Sequence, residues 1–389
     1  MAAFFNTGLT QQQFLDEYWQ KKPLLIRQAF TDFESPISPE ELAGLACEDD
    51  IESRLIEERG PDSAWQVTNG PLSEQDFARL PETDWTMLVQ DVDKHIPEFQ
   101  ALLDPFRFIP NWRRDDLMVS YAPQGGTVGP HTDGYDVFLL QAMGSRHWQV
   151  GGKAIHDAKI VEDLSLQILA EFDPEQEWDL QPGDMLYLPP HFAHHGVALN
   201  DCMTFSIGFR APSRTDLLDG VINTLLEHEL GKARYSDADL LVSADSSEID
   251  EAAVQRLTKL LHDAIDESTP LLAQVLGKFV TETKQSLVSF AAETEDELSN
   301  VDALDQQFSQ GQQLQRSVYH RFAWTKIADK TQLFMAGEVY ELPVSSGGYL
   351  AMLTENQIIG EQDWQQLKQD PAVANLLCQL IAEGGWFWQ

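Results

Sequence analysis

A single His-x-Asp occurs in the chain, His131-Thr132-Asp133. On an extended strand residues i and i+2 point to one face, so this imidazole and carboxylate can grip one metal ion together. A second histidine, brought from a distant strand, would complete a set of two imidazoles and one carboxylate on one face of an octahedral ion. The opposite face then stays open, which suits Fe(II) that must bind a co-substrate and dioxygen. His131 follows the glycine-rich turn Gly125-Gly-Thr-Val-Gly-Pro130 and precedes the apolar run Val137-Phe-Leu-Leu140. It therefore belongs at the mouth or wall of a barrel and not on a surface helix. The candidates for the third ligand are His191, His194 and His195, which follow the tight turn Pro182-Gly-Asp184 and the pair Pro189-Pro190. His194 and His195 are neighbours and face opposite ways on a strand, so at most one reaches the metal. His191 lies in the turn, nearer the rim. Geometry alone does not choose between His194 and His195. Oxidation of a C–H bond needs no base or nucleophile, and no hydrolytic triad stands out. Glu227-His-Glu-Leu230 lacks the second histidine of a zinc-protease motif and reads as an exposed helix face.

Three regions must position these groups. Residues 1–212 mix helices with many short strands, among them Pro23-Leu-Leu-Ile26, Leu117-Met-Val-Ser-Tyr121, Val137-Phe-Leu-Leu-Gln141, His147-Trp-Gln-Val150, Met185-Leu-Tyr-Leu188 and Thr204-Phe-Ser-Ile-Gly-Phe209. Short β-branched and aromatic runs punctuated by Gly and Pro turns predict a barrel or a double-sheet jelly roll. Residues 213–299 carry apolar positions at helical spacing, Leu217 to Leu226, Val254 to Ile265 and Leu271 to Val280, which predicts three amphipathic helices. Residues 300–389 are mixed: Phe322 to Ile327 and Leu333 to Tyr340 read as short strands, and Val373 to Ala382 as a helix. That pattern fits a small domain of helices with a β-wing. The overall class is α+β.

The 43% apolar content marks an ordinary globular chain and not a disordered one. The formal net charge of −37 repels phosphate backbones, so direct nucleic-acid binding is not expected, whereas basic protein partners are attracted. The C-terminal region is itself acidic, which argues against a DNA-binding wing. Cys47, Cys202 and Cys378 are scattered, as befits a reducing cytoplasm. The N-terminus has no signal-peptide pattern, and no apolar stretch approaches the roughly 20 residues that span a bilayer. The expectation is a cytoplasmic chain with no membrane partner.

The run from His131-Thr-Asp133 through Arg146-His-Trp148, then Pro182-Gly-Asp-Met-Leu-Tyr-Leu-Pro-Pro-x-Phe-x-His194-x-Gly196, resembles the bacterial ribosomal oxygenases of the JmjC class. Phe205-Ser-Ile-Gly-Phe-Arg-Ala-Pro212 and Tyr18-Trp-Gln-Lys-Lys-Pro23 carry the same resemblance. It extends over the whole chain and is nearest to the arginine hydroxylases that act on protein sixteen of the large ribosomal subunit. The resemblance implies a double-stranded β-helix of cupin type over 1–212, an all-α dimerisation domain over 213–299 and a winged-helix-like domain over 300–389. It implies Fe(II) as cofactor, with 2-oxoglutarate and dioxygen as co-substrates. The Pro-Pro-x-Phe-x-His pattern selects His194 as the ligand. Arg146 matches the basic residue that holds the distal carboxylate of 2-oxoglutarate, and a guanidinium suits that bidentate bond. Ser120, on the strand leading into the motif, is a candidate to donate a hydroxyl to the same carboxylate. Tyr135 and Asp136 are candidates for contact with the substrate. By alternation Tyr135 shares the face of His131 and Asp133, while Asp136 points away unless the strand bulges. The expected activity is hydroxylation of an arginine in a large-subunit ribosomal protein by a homodimer joined through its helical segment. The alternatives are a ribosomal histidine hydroxylase, a cupin metalloenzyme with a fourth protein ligand, and a non-catalytic scaffold.

Overall fold

The computed structural model describes residues 2–58, 65–162, 164, 166–210, 212–242, 245–291 and 300–389. The chain divides into two compact units, Met1–Ala211 with Gln285–Ser289, and Pro212–Lys284 with Phe290–Gln389. Among the described residues no helix is long and apolar enough to cross a membrane.

The first unit is a double-stranded β-helix. Its strands are β1 (Leu24–Ile26), β2 (Ser53–Glu57), β3 (Gln66–Asn69), β4 (Trp85–Val89), β5 (Arg114–Ala122), β6 (Asp136–Met143), β7 (Arg146–Ala154), β8 (Gln176–Leu180), β9 (Met185–Leu188), β10 (Phe192–Ala198) and β11 (Cys202–Phe209). An eight-stranded sheet runs in the order β1-β9-β6-β11-β5-β4-β2-β3, and a three-stranded sheet in the order β10-β7-β8. The central strand β6 is apolar on both faces because both are covered. Val137 and Leu139 look into the space between the sheets, and Phe138 joins an aromatic cluster behind the large sheet. There its ring centroid lies 4.9 Å from Phe106, 5.7 Å from Phe14 and 4.8 Å from Tyr187. Such ring pairs each add about 1 kcal/mol beyond burial, which fixes the back of the sheet.

The turn that delivers β9 is built by its own residues. Gly183 takes φ +89, and a Cβ there would lie 2.3 Å from the Phe30 carbonyl. The Asp184 carboxylate accepts from Arg27 at 2.6 Å, from the Gln28 amide at 2.9 Å and from the Gln181 amide at 3.1 Å. The Pro-Gly-Asp signal thus sets where β9 begins, the strand that leads into the histidine-bearing β10.

The second unit holds helices Arg214–Glu227, Glu251–Ser268, Leu272–Thr281, Val301–Ser309, Gly347–Glu355, Glu361–Leu367 and Pro371–Ala382. Strands β12 (Leu314–Arg316), β16 (Ile358–Ile359) and β17 (Trp386–Trp388) form one small sheet in the order β16-β12-β17. A second sheet, β13 (Phe322–Ile327), β14 (Lys330–Met335) and β15 (Glu338–Pro343), is the wing. Its core gathers Leu304, Phe308, Leu333, Trp364, Leu377 and Trp386. Helix Leu272–Thr281 lies directly on the wing: a Cβ at Gly277 would come within 2.4 Å of the Phe334 ring.

Candidate active site

His131 and His194 face each other through an antiparallel bridge, with His131 N–H donating to His194 O at 3.0 Å and His194 N–H to His131 O at 2.9 Å. Two residues on, the His191 amide donates to Asp133 O at 2.7 Å, which continues the pairing and turns Asp133 inward with His131. The imidazole centroids are 4.2 Å apart. The Asp133 carboxylate lies 3.9 Å from His131 Nε2 and 3.6 Å from His194 Nε2. One ligand atom from each of the three residues falls within 4.8 Å of the others, and no further His, Cys, Asp or Glu joins the group among the described residues.

The backbone sets the tautomer of both rings. His131 Nδ1 sits 2.9 Å from Gly129 O, and His194 Nδ1 sits 3.0 Å from Phe192 O. A carbonyl only accepts, so each Nδ1 carries the proton and each Nε2 presents a lone pair to the centre. Burial, reinforced by the neighbouring His131, pushes His194 down to about 4, so it is a neutral ligand at physiological pH. Two imidazoles and one carboxylate, held from behind and open in front, fit a divalent first-row metal with vacant coordination positions. His195 points away from this centre, toward Phe172 at 6.3 Å, and the His191 ring lies 4.6 Å from that of His156, tilted against it. Neither supplies the fourth ligand that a non-oxygenase cupin site would use.

The three groups line a cavity of about 340 Å³ between the sheets. Arg146 enters it from β7, only 2% exposed. Its Nη2 is 3.7 Å from Cys202 Sγ, its Nε has no hydrogen bond, and no carboxylate pairs with it among the described residues. A guanidinium buried without an anion is costly to leave so, which suits an anionic ligand in the cavity. Trp148, two residues along, lies between the ends: its ring is 5.8 Å from the Arg146 guanidinium carbon and 5.9 Å from His194. Ser120 lines the same cavity and donates its hydroxyl to Thr204 O at 3.3 Å.

At the other end lie Arg54, Gln90, Asp116, Met118, Tyr135, Ser206 and Gly208. Tyr135 is 44% exposed, and its hydroxyl is held protonated by the nearby Asp133 charge, then by burial, Asp116 and Asp115. Asp136 is not brought to the cavity. Its carboxylate turns to the back of the sheet and accepts from Tyr187 Oη at 2.7 Å, Gln20 at 2.9 Å and Arg113 at 3.1 Å. The expected substrate contact is instead a buried polar clasp. Besides Asp133, the acidic residue that lines the cavity is Asp116. Alternation along β5 from Ser120 through Met118 leads to it, a signal present in the sequence but not followed there.

Residues 101–217 match the family model described as the JmjC domain, and residues 259–387 match that of the ROXA-like winged helix. The chain is 35% identical over 386 residues to "Ribosomal protein uL16 3-hydroxylase" of Escherichia coli (strain K12), covering 99% of each. It is 38% identical over 301 residues to a Haemophilus influenzae protein named "Probable ribosomal oxygenase", covering 75% of this chain and 70% of the other. The solved structure of YcfD, a ribosomal oxygenase from Escherichia coli, in complex with cobalt and 2-oxoglutarate, superposes with a TM-score of 0.81 at 34% identity, over 98% of this chain and 99% of that one.

Proposed function

The chain belongs to the JmjC-domain ribosomal oxygenases, and from that premise we propose that it hydroxylates an arginine side chain of large-subunit ribosomal protein uL16, using Fe(II) and 2-oxoglutarate. The observation that carries the reading is one cavity with a His131, Asp133 and His194 cluster at one point and an unpaired buried Arg146 at another. Two Escherichia coli relatives support the reading: one is named ribosomal protein uL16 3-hydroxylase, and YcfD was solved with cobalt and 2-oxoglutarate.

In this reading His131, Asp133 and His194 hold the metal through Nε2 and carboxylate oxygens. Arg146 receives the distal carboxylate of 2-oxoglutarate, with Ser120 turning its hydroxyl to the same group. Fe(II), 2-oxoglutarate and dioxygen together supply an oxidative decarboxylation coupled to insertion of one oxygen atom into a C–H bond. The chain's part is orientation and exclusion of water. Val137, Leu139 and Trp148 give the cavity its apolar wall. Asp116 offers a carboxylate to the substrate's guanidinium, and Tyr135 offers an aromatic face.

The three-part plan is proposed as a division of labour: catalysis in 1–212, association in 213–299 and a winged-helix-like element in 300–389. Leu218, Ile222 and Leu226 stand exposed on one helix, and Val254, Leu257 and Leu261 on the next. A second copy of the chain is the proposed cover for these faces. Ile222→Glu combined with Leu261→Glu is expected to halve the solution mass, and an unchanged mass counts against the dimer. The substrate partner is a basic ribosomal protein, nucleic acid is not contacted directly, and the compartment is the cytoplasm.

The test is to incubate the chain with Fe(II), 2-oxoglutarate, dioxygen and a uL16 peptide. One oxygen is expected on arginine for each succinate formed. Asp133→Ala should abolish both products, and Arg146→Met should raise the 2-oxoglutarate KM by about a hundredfold while leaving metal affinity intact. Hydroxylation that persists in Asp133→Ala, or an oxygen found on histidine instead, overturns the assignment.

A further inference from the structure

The cavity floor continues past Asp116 onto strands that the chemistry above does not use. Arg54 on β2 stands opposite Leu88 on β4, and Leu88 stands opposite Ser120 on β5. By alternation Arg54, Gln90, Asp116 and Ser120 all present to the same face, and all line the cavity. Gln90 lies between two charged groups of opposite sign. With its amide nitrogen toward Asp116 Oδ2 at 3.0 Å and its amide oxygen toward Arg54 Nη2 at 3.1 Å, both neighbours are satisfied. The reverse orientation would set oxygen against carboxylate and N–H against guanidinium. The other carboxylate oxygen, Oδ1, is turned toward Gly208 and Tyr135: a Cβ at Gly208 would lie 3.2 Å from it and 3.7 Å from the Tyr135 ring.

We infer that Gln90 is a positioning residue, which fixes the Asp116 carboxylate to receive the substrate's guanidinium, and that Arg54 sets the orientation of the Gln90 amide. The inference rests on the reading of Asp116 as the substrate's partner. An aspartate without a tether must be ordered when the substrate binds, and a tether made beforehand removes that cost. The choice of an amide as tether has its own logic. An amide donates a hydrogen bond without adding a positive charge of its own that would compete with the incoming guanidinium. Arg54 lies on the far side of the Gln90 amide, where Glu52 lies 3.9 Å from it and offsets its charge. Arg54 Nε is also buried without a hydrogen bond, a cost that the fold accepts at this spot.

The experiment compares Gln90→Met, Arg54→Met, Asp116→Asn and the Gln90→Met/Asp116→Asn double variant, each as metal-loaded enzyme with 2-oxoglutarate and a uL16 arginine peptide. Gln90→Met is expected to raise the peptide KM about tenfold, with the 2-oxoglutarate KM within about twofold and a higher ratio of succinate to hydroxylated peptide. Arg54→Met is expected to move the same parameters in the same direction, by less. If Gln90 acts through Asp116, adding Gln90→Met to Asp116→Asn raises the peptide KM no further. Should Gln90→Met fold poorly, Gln90→Glu serves: it keeps the side-chain shape and the Arg54 contact but turns an acceptor toward Asp116, and the same loss is expected. A peptide KM unchanged in Gln90→Met or Gln90→Glu, while Asp116→Asn raises it, overturns this inference and leaves the Asp116 reading standing. Losses that multiply in the double variant also overturn it. No effect of Asp116→Asn itself overturns the reading of Asp116 and this inference together.

Discussion

Burial and the partner of Nδ1 decide what a histidine does in this chain. His131 and His194 give their Nδ1 protons to backbone carbonyls and keep Nε2 for a metal. His320, in the second unit, is buried, with the Ser317 hydroxyl at 3.0 Å from its Nδ1. Burial pushes it down to about 4, and among the described residues no acid beside it supports a charge. The unfolded chain protonates this side chain near pH 6.5, so between pH 6.5 and 4 the unfolded state binds a proton that the folded state refuses. Stability therefore falls as pH drops through that window, by up to about 3 kcal/mol from this residue. His320→Gln should remove the term. Urea unfolding at pH 7 and pH 4.5 is expected to bring the variant closer to, or above, the parent at the lower pH. Parallel pH dependences in the two proteins would sink the claim.

At the scale of strands and helices, legibility followed periodicity. The runs at Leu117, Val137, His147, Met185 and Thr204 are apolar enough to announce β5, β6, β7, β9 and β11 from the sequence. The three helices of 213–299 were equally legible, because Leu and Val recur there at helical spacing. Strands β2 and β3 were not. Ser53-Arg-Leu-Ile-Glu57 shows no alternation of burial, Gln66-Val-Thr-Asn69 is polar, and both owe their extended form to the strands beside them. With them the sequence concealed Arg54, and hence the polar chain to Asp116. Asp136 shows the same limit from the other side. Its partners Gln20, Arg113 and Tyr187 come from distant parts of the chain, so no local pattern reveals that it clasps β6 to β9 and the N-terminal segment. Burial raises its carboxyl above the usual range despite three donors. The ion pair itself thus adds little, and the loss in Asp136→Ala comes from the partners left behind. Asp136→Ala is expected to lower unfolding free energy by about 3 kcal/mol, and Asp136→Asn by less. The peptide KM of whichever variant folds should match the parent. A raised KM at unchanged stability would return Asp136 to the substrate site.

Over the whole molecule the governing quantity is charge, which composition reveals in full and whose distribution only the fold can supply. Sixty-three acidic residues against 26 basic ones give −37, and one place where that field meets an opening is the cavity bearing Asp116 and Asp133. A basic polypeptide approaching such a surface is drawn in before any contact forms, so the field acts on the association rate more than on the bound complex. Salt separates the two effects. Raising ionic strength from about 0.1 M to 1 M shortens the screening length from roughly 10 Å to 3 Å. Contacts inside the cavity, shielded from solvent, change little over that range, while steering across open water is lost. The association rate of a uL16 peptide with metal-loaded enzyme is accordingly expected to fall about tenfold or more over this range, with the dissociation rate within about twofold. A peptide whose flanking lysines are replaced by glutamine, its target arginine kept, should start slower and lose little with salt. If both peptides respond alike, the acidic surface serves solubility and the recognition lies wholly within the cavity.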